Sequence, residues 1–262
     1  AGSVDNPSGL ARINVSASNF SVNNTAIAAY GGDLLGNMWR FDLNAGAVTK
    51  IAQFGVSKPI MAAPEIGDVN GKTVVYFGTG RYLGNSDLED TRAQSIYAIK
   101  DDGAAALTDT TKLIQQTLST SDAGVRTATK QDVDWTSADV RGWFINLPDS
   151  GERIALDLQL YAGTLVASSI VPTASECQPG GYSWLYQLDY KTGGYVGNTS
   201  VPVAMKSTSP YVGVTVSRLP TGLPVIYPIS ADGSLTKPSI LEVQPPNAVG
   251  GARRVIWREL FE

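Results

Sequence analysis

One unit recurs along the chain and governs what it can fold into. Its clearest copy is Ala28-Ala29-Tyr30-Gly31-Gly32-Asp33-Leu34-Leu35-Gly36-Asn37-Met38-Trp39-Arg40-Phe41-Asp42-Leu43-Asn44-Ala45-Gly46. It reads as a strand, a Gly/Asp/Asn turn, a second strand carrying an aromatic, and a polar turn closed by glycine. Val74 to Gly84 repeats the first half, and the second half resumes after an insertion at Ser95 to Gly103. Leu165 to Ser169 followed by Trp184 to Gly193 is a third copy, and Val225 to Leu235 a degenerate fourth. Gly31, Gly36, Gly46, Gly78 and Gly193 are expected to form the turns, because glycine supplies the positive φ that tight hairpins need.

Between these copies the chain reads as short β-rich runs bounded by Gly, Asp, Asn and Pro. Strands are expected over Ala26–Tyr30, Met38–Leu43, Thr73–Gly78, Ser95–Lys100, Gly142–Leu147, Arg153–Leu160, Leu165–Val171, Trp184–Tyr190, Tyr211–Leu219, Pro224–Ile229 and Arg253–Leu260. Helical signal is confined to Asp109–Leu118. The domain is therefore all-β. No single small sheet can bury both of its faces alone, so the repeated sheets must stack. Radial stacking gives a β-propeller, with a Greek-key sandwich as the rival. At roughly 40 to 50 residues per blade, residues 1–262 make about four to five blade-like units. Insertions fall near 84–95, 104–136 and 171–183. That is short for a closed ring, so the expectation is an incomplete or C-terminal part of one, with the first blades missing or contributed by another segment.

Composition excludes several functions. The net charge of −4 disfavours a nucleic-acid binder, which needs a basic face. No apolar run approaches the length of a membrane-spanning helix. Histidine is absent, which removes a Ser-His-Asp triad and any His-ligated metal. Cys177 stands alone, so no disulfide can form within these residues. It is open whether it is a buried thiol, an exposed reactive one, or the partner of a cysteine elsewhere in a longer protein. The chain opens without a signal peptide, as expected of a non-exported protein or of a mature or trimmed form.

The ending aromatic-x-aliphatic-Asp-x-x-Thr-Gly resembles the blades of quinoprotein-type propellers. More telling is a collinear set of strings: Tyr30 to Leu43, Lys58-Pro59-Ile60-Met61-Ala62-Ala63-Pro64-Glu65, Phe77 to Gly84, Gly142 to Arg153, Cys177-Gln178-Pro179-Gly180-Gly181 and Arg254 to Leu260. In this order they resemble the C-terminal β-propeller of the PilC/PilY family of type IV pilus biogenesis factors and tip adhesins. The resemblance covers nearly the whole chain and is weakest over 104–136 and 200–246. It implies a large exported Gram-negative protein, at the pilus tip, the outer cell surface or in the periplasm, supporting pilus assembly, adhesion and twitching motility. The partners it implies are minor pilins or the pilus tip complex, the upstream region of the same protein, and a host surface. It implies no enzymatic activity. In this segment Gly31, Asp33, Gly36, Trp39, Trp143, Trp184 and Trp257 would be structural, the tryptophans as sheet-packing anchors. The family's calcium loop falls where this chain has Val22 to Ala28, without a carboxylate. No cofactor is expected here, and a calcium site belongs to an upstream part of the protein.

Other readings remain open beside it. The carboxylates of Ser86-Asp87-Leu88-Glu89-Asp90 could hold a cation, but a solvated insertion is expected. Asp68-Val69-Asn70-Gly71 begins like a calcium loop and reads better as a hairpin turn. Asp132, Asp134 and Trp135 suggest a ligand surface on which a sugar stacks, the basis of a carbohydrate-binding alternative; a core tryptophan is the bland counterpart. A quinone-dependent oxidoreductase is the enzymatic rival, and lone Cys177 cannot form the vicinal disulfide of its cofactor pocket.

Overall fold

A computed structural model of the chain describes residues 2–4, 7–19, 23–121, 124–173, 180–197, 201–220, 224–234 and 239–240. They form four sheets. The first is an antiparallel meander of β1 (Leu10–Asn19), β2 (Asn23–Asp33), β3 (Asn37–Asp42) and β4 (Val48–Gln53). The second runs β5 (Glu65–Val69), β6 (Lys72–Gly78), β7 (Ser95–Lys100), β11 (Gly142–Asn146), β8 (Leu113–Gln116), the last pair parallel. The third runs β12 (Arg153–Ile154), β14 (Thr164–Thr173), β15 (Gly180–Asp189), β16 (Ala204–Lys206), β10 (Val125–Ala128), β9 (Leu118–Thr120), with β13 (Gln159–Tyr161) also on β14. The fourth is β17 (Tyr211–Arg218), β18 (Pro224–Ser230) and β19 (Ser239–Ile240).

The period of two in a strand explains how these sheets stack. On β6, Val74 and Tyr76 enter one core while Val75 and Phe77 enter another. Ile96 and Ala98 alternate in the same way with Tyr97 and Ile99 on β7, and Trp143 and Ile145 with Phe144 on β11. The second sheet is thus buried on both faces, against the first sheet on one side and the third on the other. The third sheet repeats this: Leu165, Ala167, Trp184 and Tyr186 face the second, while Val166 and Leu185 meet Tyr211 and Ile226 of the fourth. Each sheet serves as lid for its neighbours, which is the radial stacking of a propeller, and among the described residues the sheets do not close into a ring.

The repeats seen in the sequence are the paired central strands β2–β3, β6–β7 and β14–β15. The Asn70-Gly71 turn is as expected, with φ of 53° and 78°, the two positive values of a type I′ hairpin. Several expectations change. Asp109–Leu118 is not helical but supplies β8 and the start of β9. The Asp109 carboxylate accepts the Thr111 N–H at 2.9 Å and the Thr111 hydroxyl at 2.6 Å, and the edge of β11 then takes the following residues as a parallel strand. Tertiary pairing overrides a weak local preference.

Arg153–Leu160 is broken between β12 and β13, because the buried Arg153 side chain and Asp157 each bind backbone of other loops. The insertion near 171–183 is mostly a longer hairpin, with Thr173 opposite Gly180. Gly31 and Gly78 do not make turns. They lie in β2 and β6, where a Cβ would come within 2.8 Å of Ile13 and 2.4 Å of Ile154, so they permit close approach of neighbouring chain. Arg253–Leu260, Trp257 and Cys177 lie outside the described residues.

Insertion 104–136 stitches the second and third sheets together. It gives β8 to one and β9 and β10 to the other. Gln116, fully buried, donates through Nε2 to Gln131 O and Thr192 O at 2.8 Å each, and its Oε1 accepts from Thr129 Oγ1 at 2.8 Å and Gln131 N at 3.0 Å. An amide with all four capacities met is inexpensive to bury.

Candidate functional site

The edges of β1, β5, β13 and β17 converge where the four sheets meet, around a polar cleft of about 440 Å³. Asp157, in the link between β12 and β13, is its hub. Its Oδ1 accepts the Ala63 N–H at 2.7 Å, and its Oδ2 pairs with Arg12 at 2.8 Å. Asn14 donates to Pro64 O at 3.0 Å. Gln159 reaches the fourth sheet, donating to Val214 O and accepting Val216 N–H at 3.2 Å. One carboxylate and two side-chain amides therefore connect the inner edges. A second cleft, apolar and of about 290 Å³, adjoins it and shares Leu156 and Val212. Tyr82, Ser168, Ile170, Pro210 and Tyr211 also line it.

The strongest electrostatic feature lies between the second and third sheets. Arg126 of β10 and Glu152 are both wholly buried and pair at 2.8 Å. Arg126 Nη2 lies 2.7 Å from Asp149, and its guanidinium stacks 3.7 Å from the centroid of the Trp184 ring. Glu152 Oε1 also accepts from Ser169 at 2.6 Å and Tyr186 at 2.7 Å. Burial and the Glu152 charge push the Tyr186 phenol well above its usual range. Burial would raise the Asp149 carboxyl, but hydrogen bonds from Trp184 and Tyr182 and the Arg126 charge hold it below its usual range. Such a network is a clamp that ties β10 and the Asp149–Glu152 turn to β14 and β15.

The acidic loop is not a solvated insertion. Asp87 is 1% exposed and accepts from Arg81 Nε at 2.6 Å and Leu83 N at 2.8 Å. Arg153, buried beneath it, donates to the carbonyls of Arg81, Asp87, Asp90 and Gly151. Asp90 pairs with Arg92, whose hydrogen bonds hold its carboxyl down at about 2. Cationic partners occupy the loop, and among the described residues no group of carboxylates, Cys or His could hold a metal ion.

The sugar-shelf residues are not arranged as one. Trp135 is 4% exposed and sits in the core between the second and third sheets, its indole donating to Lys191 O at 3.0 Å. Asp134 turns back on Thr136, and Asp132 is exposed. The ring offers no face to a ligand. Trp143 and Trp184 are packing anchors, both essentially buried. Trp39 is not: it is half-buried, with Lys50 over its ring at 4.8 Å and its indole donating to Asp33 at 2.8 Å. Asp33 also accepts the N–H groups of Leu35 and Asn37 at 2.9 Å, so it organises the turn that Gly36, at φ 74°, closes.

Arg126, Asp149, Glu152, Asp157 and Gln159 escaped sequence reasoning as site residues. The only signal was that charged residues are scarce, at 17% of the chain, so each one beside an apolar strand was a candidate for a buried pair.

No protein-family model matches the chain. It is 29% identical over 203 residues to a type IV pilus biogenesis factor PilY1 homolog of Xylella fastidiosa, covering 66% of this chain and 14% of that protein. It is 29% identical over 234 residues to the type IV pilus biogenesis factor PilY1 of Pseudomonas aeruginosa strain PAO1, covering 67% and 20%. The chain thus spans a fifth or less of the length of these relatives. The crystal structure of the P. aeruginosa PilY1 C-terminal domain matches with a TM-score of 0.71 at 24% identity, over 87% of this chain and 60% of that one. The two share a fold. No helix among the described residues is long and apolar enough to cross a membrane.

Proposed function

We propose that this chain, a relative of the PilY1 C-terminal domain, is a non-enzymatic segment of a type IV pilus biogenesis factor that works through protein–protein contacts. The observation that carries this reading is the structural match over most of the chain together with sequence matches to proteins named for pilus biogenesis. The site chemistry agrees with it. The buried Arg126 and Glu152 charges are paired with each other, and the clefts lie on a sheet junction, where a partner can seat. The segment acts without a cofactor of its own. Its contacts are with minor pilins or the pilus tip complex and with the upstream region of its own protein. The whole protein is exported to the pilus tip, the outer surface or the periplasm, where it supports adhesion and twitching. A host surface is a further partner, and a calcium site lies upstream.

The test is complementation of a strain lacking the full-length protein. With the intact gene, surface pili and twitching zones return. With residues 1–262 deleted in frame, and the truncated protein still exported, pili should fall at least ten-fold. Normal piliation with the truncated form would overturn the reading.

A further inference from the structure

We propose that the face of the first sheet turned away from the second seats one more sheet of the same repeat, supplied by the part of the longer protein that precedes residue 1. This rests on the reading of the chain as one segment of a longer pilus protein, and it names the surface through which the upstream region meets it. Ile13, Gly31, Trp39 and Lys50 stand side by side across β1 to β4, and Val15, Ala29, Phe41 and Val48 form the next row. Opposed residues of paired strands share a face. Tyr30 and Met38, adjacent to these rows in sequence, belong to the core against the second sheet, so both rows point the other way. Ile13 and Leu10 lean across Gly31, at 2.8 and 3.4 Å from where its Cβ would stand. The surface so formed is apolar, with Ile13 52% and Val48 55% exposed and Trp39 and Phe41 partly buried. Among the described residues no other sheet packs on it. Contiguous exposed apolar surface of this kind marks a contact.

The other copies of the repeat show what belongs there. Trp39 and Phe41 of β3 stand opposite Gly31 and Ala29, as Tyr97 and Ile99 of β7 stand opposite Phe77 and Val75, and Tyr186 and Leu188 of β15 opposite Ala167 and Leu165. In the second sheet this quartet is buried against the first sheet, and in the third it is buried against the second. Each copy therefore turns the same four positions toward the sheet that comes before it in sequence. The first sheet keeps the pattern but has no predecessor among the described residues, which is why Trp39 is not enclosed as Trp143 and Trp184 are. The covering faces also follow a type. The first sheet meets the second with Ala28, Tyr30 and Met38, and the second meets the third with Val74, Tyr76, Ile96 and Ala98. The occupant is accordingly a sheet face of small, aliphatic and aromatic side chains. Chain to supply it exists in the proteins this one resembles, since it covers 60% of the solved PilY1 C-terminal domain and a fifth or less of the P. aeruginosa and X. fastidiosa relatives.

The test compares the 262-residue chain with the full-length protein. Ile13→Cys and Val48→Cys are alkylated with iodoacetamide in each, and the rate is read by mass spectrometry on the peptide carrying the new thiol. Both should react freely in the 262-residue chain and at least about ten-fold more slowly in the full-length protein. With p-benzoylphenylalanine at position 48 of the full-length protein, irradiation should join it to a segment within roughly 100 residues before residue 1, the span of two repeat units. Three results would overturn the proposal. Equal alkylation rates in the two proteins would leave the face open. Slow alkylation already in the 262-residue chain would mean that this chain or a second copy of it covers the face. A photoproduct on any other segment or protein, or none at all, would assign the face to another occupant. Neither readout involves pili, so failure here leaves the complementation test undecided, and normal piliation with the truncated form would leave this contact standing.

Discussion

Replacing Arg126 by alanine is expected to remove about 3–5 kcal/mol of stability, the cost of leaving a buried carboxylate without its cation. Glu152 would keep only Ser169 and Tyr186 as partners, and Asp149 would lose its counter-charge. The indole of Trp184 would lose the guanidinium stacked on it. Arg126→Lys should recover only part of the loss, since an ammonium cannot reach Glu152 and Asp149 as a fork. Glu152→Gln should cost less than Arg126→Ala, because the amide oxygen still accepts the two hydroxyls. Denaturant titration at neutral pH reads all three as midpoint shifts at constant slope. A loss under about 1 kcal/mol for Arg126→Ala would mean that the pair is solvated and the clamp does not exist.

Trp143→Ala is expected to cost a similar amount, about 3–5 kcal/mol, the range for deleting a fully buried large side chain. Trp143 belongs to the second sheet but spends its side chain on the third. Its indole donates to Tyr190 O at 3.1 Å, and Gly193 lies so close that a Cβ there would stand 2.5 Å from the ring. The alanine would open a cavity and orphan a carbonyl, and rigid strands on both sides limit collapse. The same contact makes Gly193→Ala destabilising, through the ring and through its φ of 75°. If Trp143→Ala melted like the parent chain, the two sheets would not be packed on one another at this point.

The parts of this fold that sequence reveals are those whose residues meet the core at a regular interval. β6, β7, β11, β14 and β15 carry apolar side chains on both faces and stood out as uninterrupted β-rich runs. β1, β4 and β5 did not. They lie at sheet edges, and β4 buries only Ile51 and Ala52, too little to make a pattern. β8 was hidden for another reason: its inward residue at position 116 is glutamine, whose four hydrogen bonds come from positions 129, 131 and 192. Local periodicity carries no trace of such distant partners. The Arg126–Glu152 pair fails for the same cause, since its members lie on different segments and only the register of the third sheet brings them together. The acidic loop misled because counting carboxylates does not count the arginines that fold over them.

The account depends on the second sheet being buried on both faces, and Val74 and Val75 test this most directly. They are adjacent on β6, point in opposite directions into two cores, and are each 0% exposed. The measurement is the denaturant midpoint of Val74→Thr and of Val75→Thr, each of which places one hydroxyl in one core at nearly constant volume. The expected result is that both lose about 1–3 kcal/mol. If either one cost less than about 0.5 kcal/mol, that face of β6 would be open to water, and the stacked array would give way to a two-layer sandwich.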